Sequence, residues 1–146
     1  MEDLFDSFAS VRKASFALAS SSIEERRRAL KAISEILKRE EEAIFSENRK
    51  DVEKAKEEGI PSSILHRLSF GEEKASSSIN GLVELSRLPD PIGKIREKRE
   101  LDPDFILEKK TFPIGVIGMI FEARPDALIQ IAGLSTNDVI DRIGLR

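Results

Sequence analysis

No cysteine occurs in this chain, and that absence excludes more than any other feature of its composition. A disulfide framework, a thiolate metal site and a cysteine nucleophile within the chain all fall away together. Histidine is nearly absent too. His66 is the one imidazole, and with no other ligands around it, it reads as a surface or helix-end residue. No metal site is expected. No apolar stretch approaches the ~20 residues a membrane helix needs. The acidic start Met1-Glu-Asp-Leu-Phe-Asp6 lacks the basic opening and apolar run of a signal peptide. The expectation is a cytoplasmic chain without a membrane partner. Excess positive charge is missing as well: charged residues make up 35%, yet the net charge is −3. Nucleic acid, which requires a clustered basic surface, is therefore not an expected partner. There is no internal repeat or low-complexity tract, and Ser76 to Ser78 is too short to act as a linker.

What is present fits one ordinary domain of 146 residues, helical first and richer in strand afterwards. Leu4, Phe8, Val11, Ser15 and Leu18 fall on one stripe of an amphipathic helix. Ser22-Ile-Glu-Glu25 reads as a capping box. Behind it an apolar face runs through Ala29, Leu30, Ile33, Ile36, Leu37 and Ile44 to about Phe45. A further helical stretch carries Val52 and Ala55 and stops at Gly59, with Pro61 close behind. Ile64, Leu65 and Leu68 suggest a short helix. Another follows Ser69-Phe-Gly-Glu72, with Ile79, Leu82, Val83 and Leu85 facing inward. Asn48 and Asp51 read as a capping or turn device, and Arg26-Arg-Arg28 as a solvated helix face beside Glu24 and Glu25.

The pattern changes at Pro89-Asp-Pro-Ile-Gly93, which cannot sit inside a helix. Lys94 to Arg99 and Phe105 to Thr111, separated by Glu100-Leu-Asp-Pro-Asp104, read as a β-hairpin or a pair of extended strands. Ile114 to Phe121 reads as a buried strand that ends abruptly in Glu122, Arg124, Pro125 and Asp126. Gly115 and Gly118 lie within that pattern and imply tight backbone packing or a bend, not a phosphate loop. Pro125 suits the first turn of a helix, with Leu128, Ile129, Ile131 and Ala132 apolar behind it. Burying a carboxylate and a guanidinium without partners is costly. Glu122 and Arg124 therefore read either as a structural ion pair or as groups delivered to a ligand.

Several segments, in order, resemble one family. Glu47-Asn48-Arg-Lys-Asp51, His66-Arg-Leu68, Leu88-Pro-Asp-Pro-Ile-Gly93, Pro113-Ile-Gly-Val-Ile-Gly118 and Phe121-Glu-Ala-Arg-Pro125 are similar to motifs of the γ-glutamyl phosphate reductases, of the aldehyde dehydrogenase superfamily. The resemblance runs to about Gly133. It implies an α/β, aldehyde-dehydrogenase-like fold of which this chain supplies the N-terminal helices, a β-hairpin and the first strand of the cofactor domain. The implied division is 1–88 helical, 89–112 loop and oligomerisation-type hairpin, 113–134 start of the NADP-binding domain, and 135–146 an atypical tail. The implied reaction is NADPH-dependent reduction of L-glutamate 5-phosphate to the 5-semialdehyde, a step of proline biosynthesis, in a homo-oligomer. There a cysteine thiolate attacks the acyl phosphate, and the thioester takes a hydride from the nicotinamide. In the family that cysteine lies downstream of Glu-x-Arg-Pro, and the implied catalytic residues in this chain are none. Arg124, with Glu122 and Asp126, would meet substrate carboxylate or phosphate. Ile120, Phe121, Glu122 and Ala123 would lie near the nicotinamide.

Two differences stand out. Asp126 replaces the family's usual asparagine, and an ionised carboxylate cannot donate a hydrogen bond. The tail from Ser135 to Arg146 does not resemble the family's continuation, as a frameshift or premature stop near residue 134 would produce. The favoured reading is a truncated, inactive N-terminal part of such a reductase. The alternatives are a non-catalytic helical module docking on a full-length reductase or another partner, and an unrelated helical scaffold.

Overall fold

A computed structural model describes residues 2–137 and 139–145, with side chains described from Asp6 to Asn137. The chain divides into two compact units, one of Glu24–Leu88 and Met119–Leu134, the other of Met1–Ile23, Pro89–Gly118 and Ser135–Arg146.

The first unit is helical, and its boundaries follow local chemistry. Helix α2 (Ile23–Arg39) starts directly after Ser22, where the capping pair places it. It ends at Glu40, earlier than the apolar face implied; α3 (Glu41–Glu57) then carries Ile44, Phe45 and Val52 together. Gly59 stops α3 with φ +74, and its amide donates to Lys56 O while Ile60 N donates to Ala55 O, each at 3.0 Å. That pair of bonds is the Schellman arrangement, which glycine adopts without a Cβ penalty. The short α4 (Ser62–Leu68) begins after Pro61. Its last carbonyls are met by Lys74, whose Nζ donates to His66 O, Arg67 O and Ser69 O at 2.9, 3.1 and 2.6 Å, a cation where the helix dipole favours one. His66 itself is exposed.

The core of this unit joins α5 (Glu72–Arg87) and α6 (Pro125–Ser135) to α2 and α3. Leu30, Phe45, Phe70, Ala75, Leu82 and Ala127 are buried, and the rings of Phe45 and Phe70 lie 6.3 Å apart, tilted by 53°. The inward side of α5 is smaller than its leucines imply: Ala75, Ser78, Leu82 and Ser86 are buried, while Ile79, Val83 and Leu85 are half-buried. On α6 the apolar residues are not all inward. Leu128 and Ala132 are exposed, and Ala127 and Gly133 are buried. The reason is close approach: a Cβ on Gly133 would stand 2.6 Å from Leu82 Cδ2, so no larger residue fits there without displacing Leu82.

The second unit holds α1 (Glu2–Ala19) and a three-stranded antiparallel sheet of β1 (Ile95–Asp102), β2 (Phe105–Pro113) and β3 (Val139–Leu145), in that order. The expected hairpin is present. Pro103 and Asp104 turn it, Asp104 with φ +62, a left-handed position that aspartate tolerates. Thr111 is buried and ties β2 to the preceding loop: its Oγ1 donates to Pro91 O at 2.6 Å and accepts from Lys94 N at 2.8 Å. Within that loop Ile92 N donates to Asp90 Oδ1 at 2.9 Å, and Gly93 takes φ +73. The stripe on α1 stays largely uncovered, with Phe8, Val11 and Leu18 exposed.

One expectation needs correction. Ile114 to Phe121 is not a strand: β2 ends at Pro113, and no ladder bonds hold the following residues. An apolar run needs strand neighbours to become a sheet, and among the described residues β2 already has partners on both sides. Conversely, part of the tail is a strand. β3 forms a regular ladder from Leu107 opposite Leu145 to Pro113 opposite Val139.

Candidate functional site

The segment from Ile114 to Asp126 is where side chains go unused by the fold. Ile114, Val116, Ile117, Met119 and Phe121 are exposed, and Ile120 is fully so, at 102%. Exposing this many apolar groups in succession is unfavourable at ~25 cal/mol per Å², and such patches mark contact with something else. Gly115 takes φ +106, so the bend implied by that glycine is real. Tight packing is not: a Cβ on Gly115 or Gly118 would meet nothing within 4 Å.

The charged end of the segment is built on α6. Ala123 takes φ +49, a left-handed conformation uncommon for a residue with a Cβ, which costs of order 1 kcal/mol. It turns the chain so that Pro125 opens α6 and Ala127 N donates to Arg124 O at 3.1 Å. Asp126 lies in the first turn, where the helix dipole favours a carboxylate. Arg124 Nη2 donates to Asp126 Oδ2 at 3.1 Å, with the arginine side chain 49% and the aspartate 14% exposed. Asp126 Oδ1 is buried with no hydrogen-bond partner. The cluster therefore pairs Arg124 with Asp126, not with Glu122 as one of the two readings of the sequence had it; the Glu122 side chain is exposed.

Of the expected ligand-facing residues, Glu122, Arg124 and Asp126 are neighbours at one turn, and Ile120, Phe121 and Ala123 form its apolar approach. None of them lines the open groove of about 790 Å³ along α5 and α6, walled by Ser77, Gly81, Leu85, Leu88, Gly133 and Leu134. That groove holds one ionisable group, Glu84. Among the described residues no group of three His, Asp or Glu side chains is placed to hold a metal ion, and no helix is long and apolar enough to cross a membrane.

Two of the motifs that carry the resemblance hold the fold together, as a turn device and a loop. Asn48 sits within α3, where its Nδ2 donates to Leu68 O at 3.0 Å and its Oδ1 accepts from Phe70 N at 2.6 Å. It closes the turn between α4 and α5, so it is a turn device for a distant segment and not a cap for its own helix. Pro89 to Gly93 is likewise held by its own bonds and by Thr111.

No family model matches the chain. Among curated proteins it is 48% identical over 127 residues to the gamma-glutamyl phosphate reductase of Prochlorococcus marinus strain MIT 9303, covering 87% of this chain and 29% of that protein. It is 45% identical over 124 residues to that of Synechococcus elongatus, covering 85% and 29%. Two solved gamma-glutamyl phosphate reductases share the fold. The Saccharomyces cerevisiae structure gives a TM-score of 0.83 at 38% identity, over 87% of this chain and 32% of that one. The Thermotoga maritima structure gives 0.85 at 29% identity, over 92% and 32%. The chain is thus similar to the N-terminal portion of these reductases, as its motifs implied, and spans about 29% of the length of the curated relatives it matches. The helices-plus-sheet fold expected from the resemblance is borne out.

Proposed function

We propose that this chain is the N-terminal portion of an NADPH-dependent γ-glutamyl phosphate reductase, the enzyme that converts L-glutamate 5-phosphate to the 5-semialdehyde, and that it is inactive unaided. The observation that carries the reading is the 48% identity sustained over 127 residues, which takes in the whole run of motifs and not one of them. In this reading Arg124 meets a carboxylate or phosphate of the substrate, because its planar fork suits both. Asp126 holds the guanidinium at 3.1 Å and so fixes where that fork points. Glu122 is exposed at the same turn.

The bared residues Ile120, Phe121 and Ala123 suit one apolar wall of a nicotinamide pocket, and the left-handed turn at Ala123 ends that wall before the charges begin. The cofactor would supply a hydride. The residues described here offer it a wall but no phosphate cradle, since no glycine-rich turn opens a helix beside them. Acyl transfer from the phosphate requires a thiolate nucleophile, and this sequence contains no cysteine. It also requires donors aimed at the oxyanion. A cytoplasmic, homo-oligomeric enzyme completes the reading.

The test is complementation. The purified chain, given NADP⁺, phosphate and glutamate-5-semialdehyde, should show no turnover. Co-expressed with the remaining portion of a cyanobacterial relative, it should co-purify and restore turnover, and Arg124→Gln should remove that activity. Turnover by the chain alone would refute its inactivity, and a folded, co-purifying but silent complex would refute the reductase reading. The exposed run from Ile114 to Phe121 favours a second reading, a non-catalytic module that docks on another polypeptide through that run. That reading requires co-purification without activity.

A further inference from the structure

Lys74 stands where helix electrostatics disfavour a lysine. It lies in the first turn of α5, directly behind Glu72 and Glu73. A helix start carries partial positive charge, which suits those carboxylates and repels an ammonium. What holds the side chain there is the end of α4. Lys74 Nζ lies 2.9 Å from His66 O, 3.1 Å from Arg67 O and 2.6 Å from Ser69 O. An ammonium has three donors and no acceptor, so three carbonyls match it one for one.

Those oxygens are held in place by bonds that do not involve Lys74. Ser69 N donates to Leu65 O at 2.9 Å. Asn48 Nδ2 donates to Leu68 O at 3.0 Å, and Asn48 Oδ1 accepts from Phe70 N at 2.6 Å. Of the four successive carbonyls from 66 to 69, Asn48 therefore takes one and leaves three for the cation. Asn48 is itself buried, so this stretch of backbone is fixed to α3. Backbone carbonyls gathered around one point are how a protein replaces the water shell of a monovalent cation. They carry no net charge, whereas calcium and magnesium sites are built with carboxylates.

We infer that the C-terminus of α4 is a monovalent-cation site formed by His66 O, Arg67 O and Ser69 O, which this chain fills with its own Lys74 ammonium. Free potassium and ammonium ions keep nearly the same distance from oxygen as Nζ does. Lithium is too small to reach all three oxygens at once. Tetramethylammonium is too large and has no donor. The inference rests on this geometry alone and is independent of the reductase reading.

The test empties the cradle and offers it free ions. In the full chain, Lys74→Ala removes the ammonium and leaves room, while alanine keeps the helix propensity of the position. Urea unfolding is followed at fixed ionic strength in the chlorides of potassium, ammonium, lithium and tetramethylammonium. The parent, whose cradle is filled, gives the general effect of each salt, which is subtracted. In lithium and in tetramethylammonium the folded-to-unfolded ratio of the alanine variant should fall about tenfold below the parent. In potassium and in ammonium most of that loss should return as the salt is raised, because an ion that binds only the folded state stabilises it by mass action. Lys74→Met, whose uncharged stem lies over the carbonyls, should lose as much and regain nothing. An alanine variant equally stable in all four salts overturns the inference, as does a methionine variant that potassium restores to the same degree. Should the alanine variant be unfolded in lithium, recovery of its helical circular dichroism in potassium is the supporting result, and no recovery overturns the inference.

Discussion

Asn48 and Arg124 belong to segments that look alike as sequence, short polar motifs at helix ends, yet they have opposite relations to the fold. Asn48 is buried and spends both ends of its amide inside the molecule, on Leu68 O and Phe70 N. Arg124 is half exposed, paired only with the residue two positions on, and preceded by a left-handed alanine and a run of bared apolar side chains. One motif is complete as it stands. The other leaves a guanidinium half exposed and a row of apolar side chains bare. The lesson is that a motif's role is read from where its hydrogen bonds end, and not from how polar it is.

That contrast can be broken by mutation. The largest effect should come from Asn48→Ala, which strands a buried carbonyl and a buried amide. A loss of about 3 kcal/mol in urea unfolding is expected from two unsatisfied groups; a loss under ~0.5 kcal/mol would mean the turn is held by something else. Next is Gly133→Val. Its branched Cβ falls 2.6 Å from Leu82 Cδ2, and overpacking of that kind costs about 2 kcal/mol, read by the same titration. Thr111→Val should cost about 1.5 kcal/mol by removing the hydroxyl that serves Pro91 O and Lys94 N, with faster amide exchange at Lys94 as its local signature. The smallest stability effects should be Ile120→Ser and Arg124→Gln, each within ~0.5 kcal/mol of the parent. Both should nevertheless abolish or sharply reduce activity in the complemented enzyme. If Arg124→Gln destabilised the chain as much as Asn48→Ala, the distinction between the two motifs would collapse.

Much of the helical unit was legible because its signals are local. Ser22 before Ile23, and Gly59 with Pro61 behind it, mark ends through bonds that span a few residues. The hairpin was legible for the same reason, with Pro103-Asp104 at its tip. The Asn48 role was not, since its partners lie 20 and 22 residues away and nothing near Asn48 points to them. The run from Ile114 to Phe121 misled in the other direction. Its composition suits a buried strand, but burial is supplied by neighbours, and a run of apolar residues carries no record of whether they are present. On α6 the sequence marked apolar residues without saying which face inward, and the fit of Gly133 under Leu82 decides that. Within the candidate site, the grouping of Glu122, Arg124 and Asp126 could be seen in the sequence. Which carboxylate the arginine takes depends on the turn at Ala123, and that turn could not.

Lys74 offers a readout of its own. Its ammonium donates to three carbonyls at the end of α4, whereas the lysines at 50 and 54 leave most of their side chains in water. An acylating reagent has to reach the amine, so in the native chain the lysines at 50 and 54 should be labelled long before Lys74, whose ammonium is enclosed by three carbonyls. Once α4 detaches from α5, the three carbonyls move away and Lys74 becomes as reactive as the rest. Mass spectrometry of the labelled peptide would then time the opening of the helical unit.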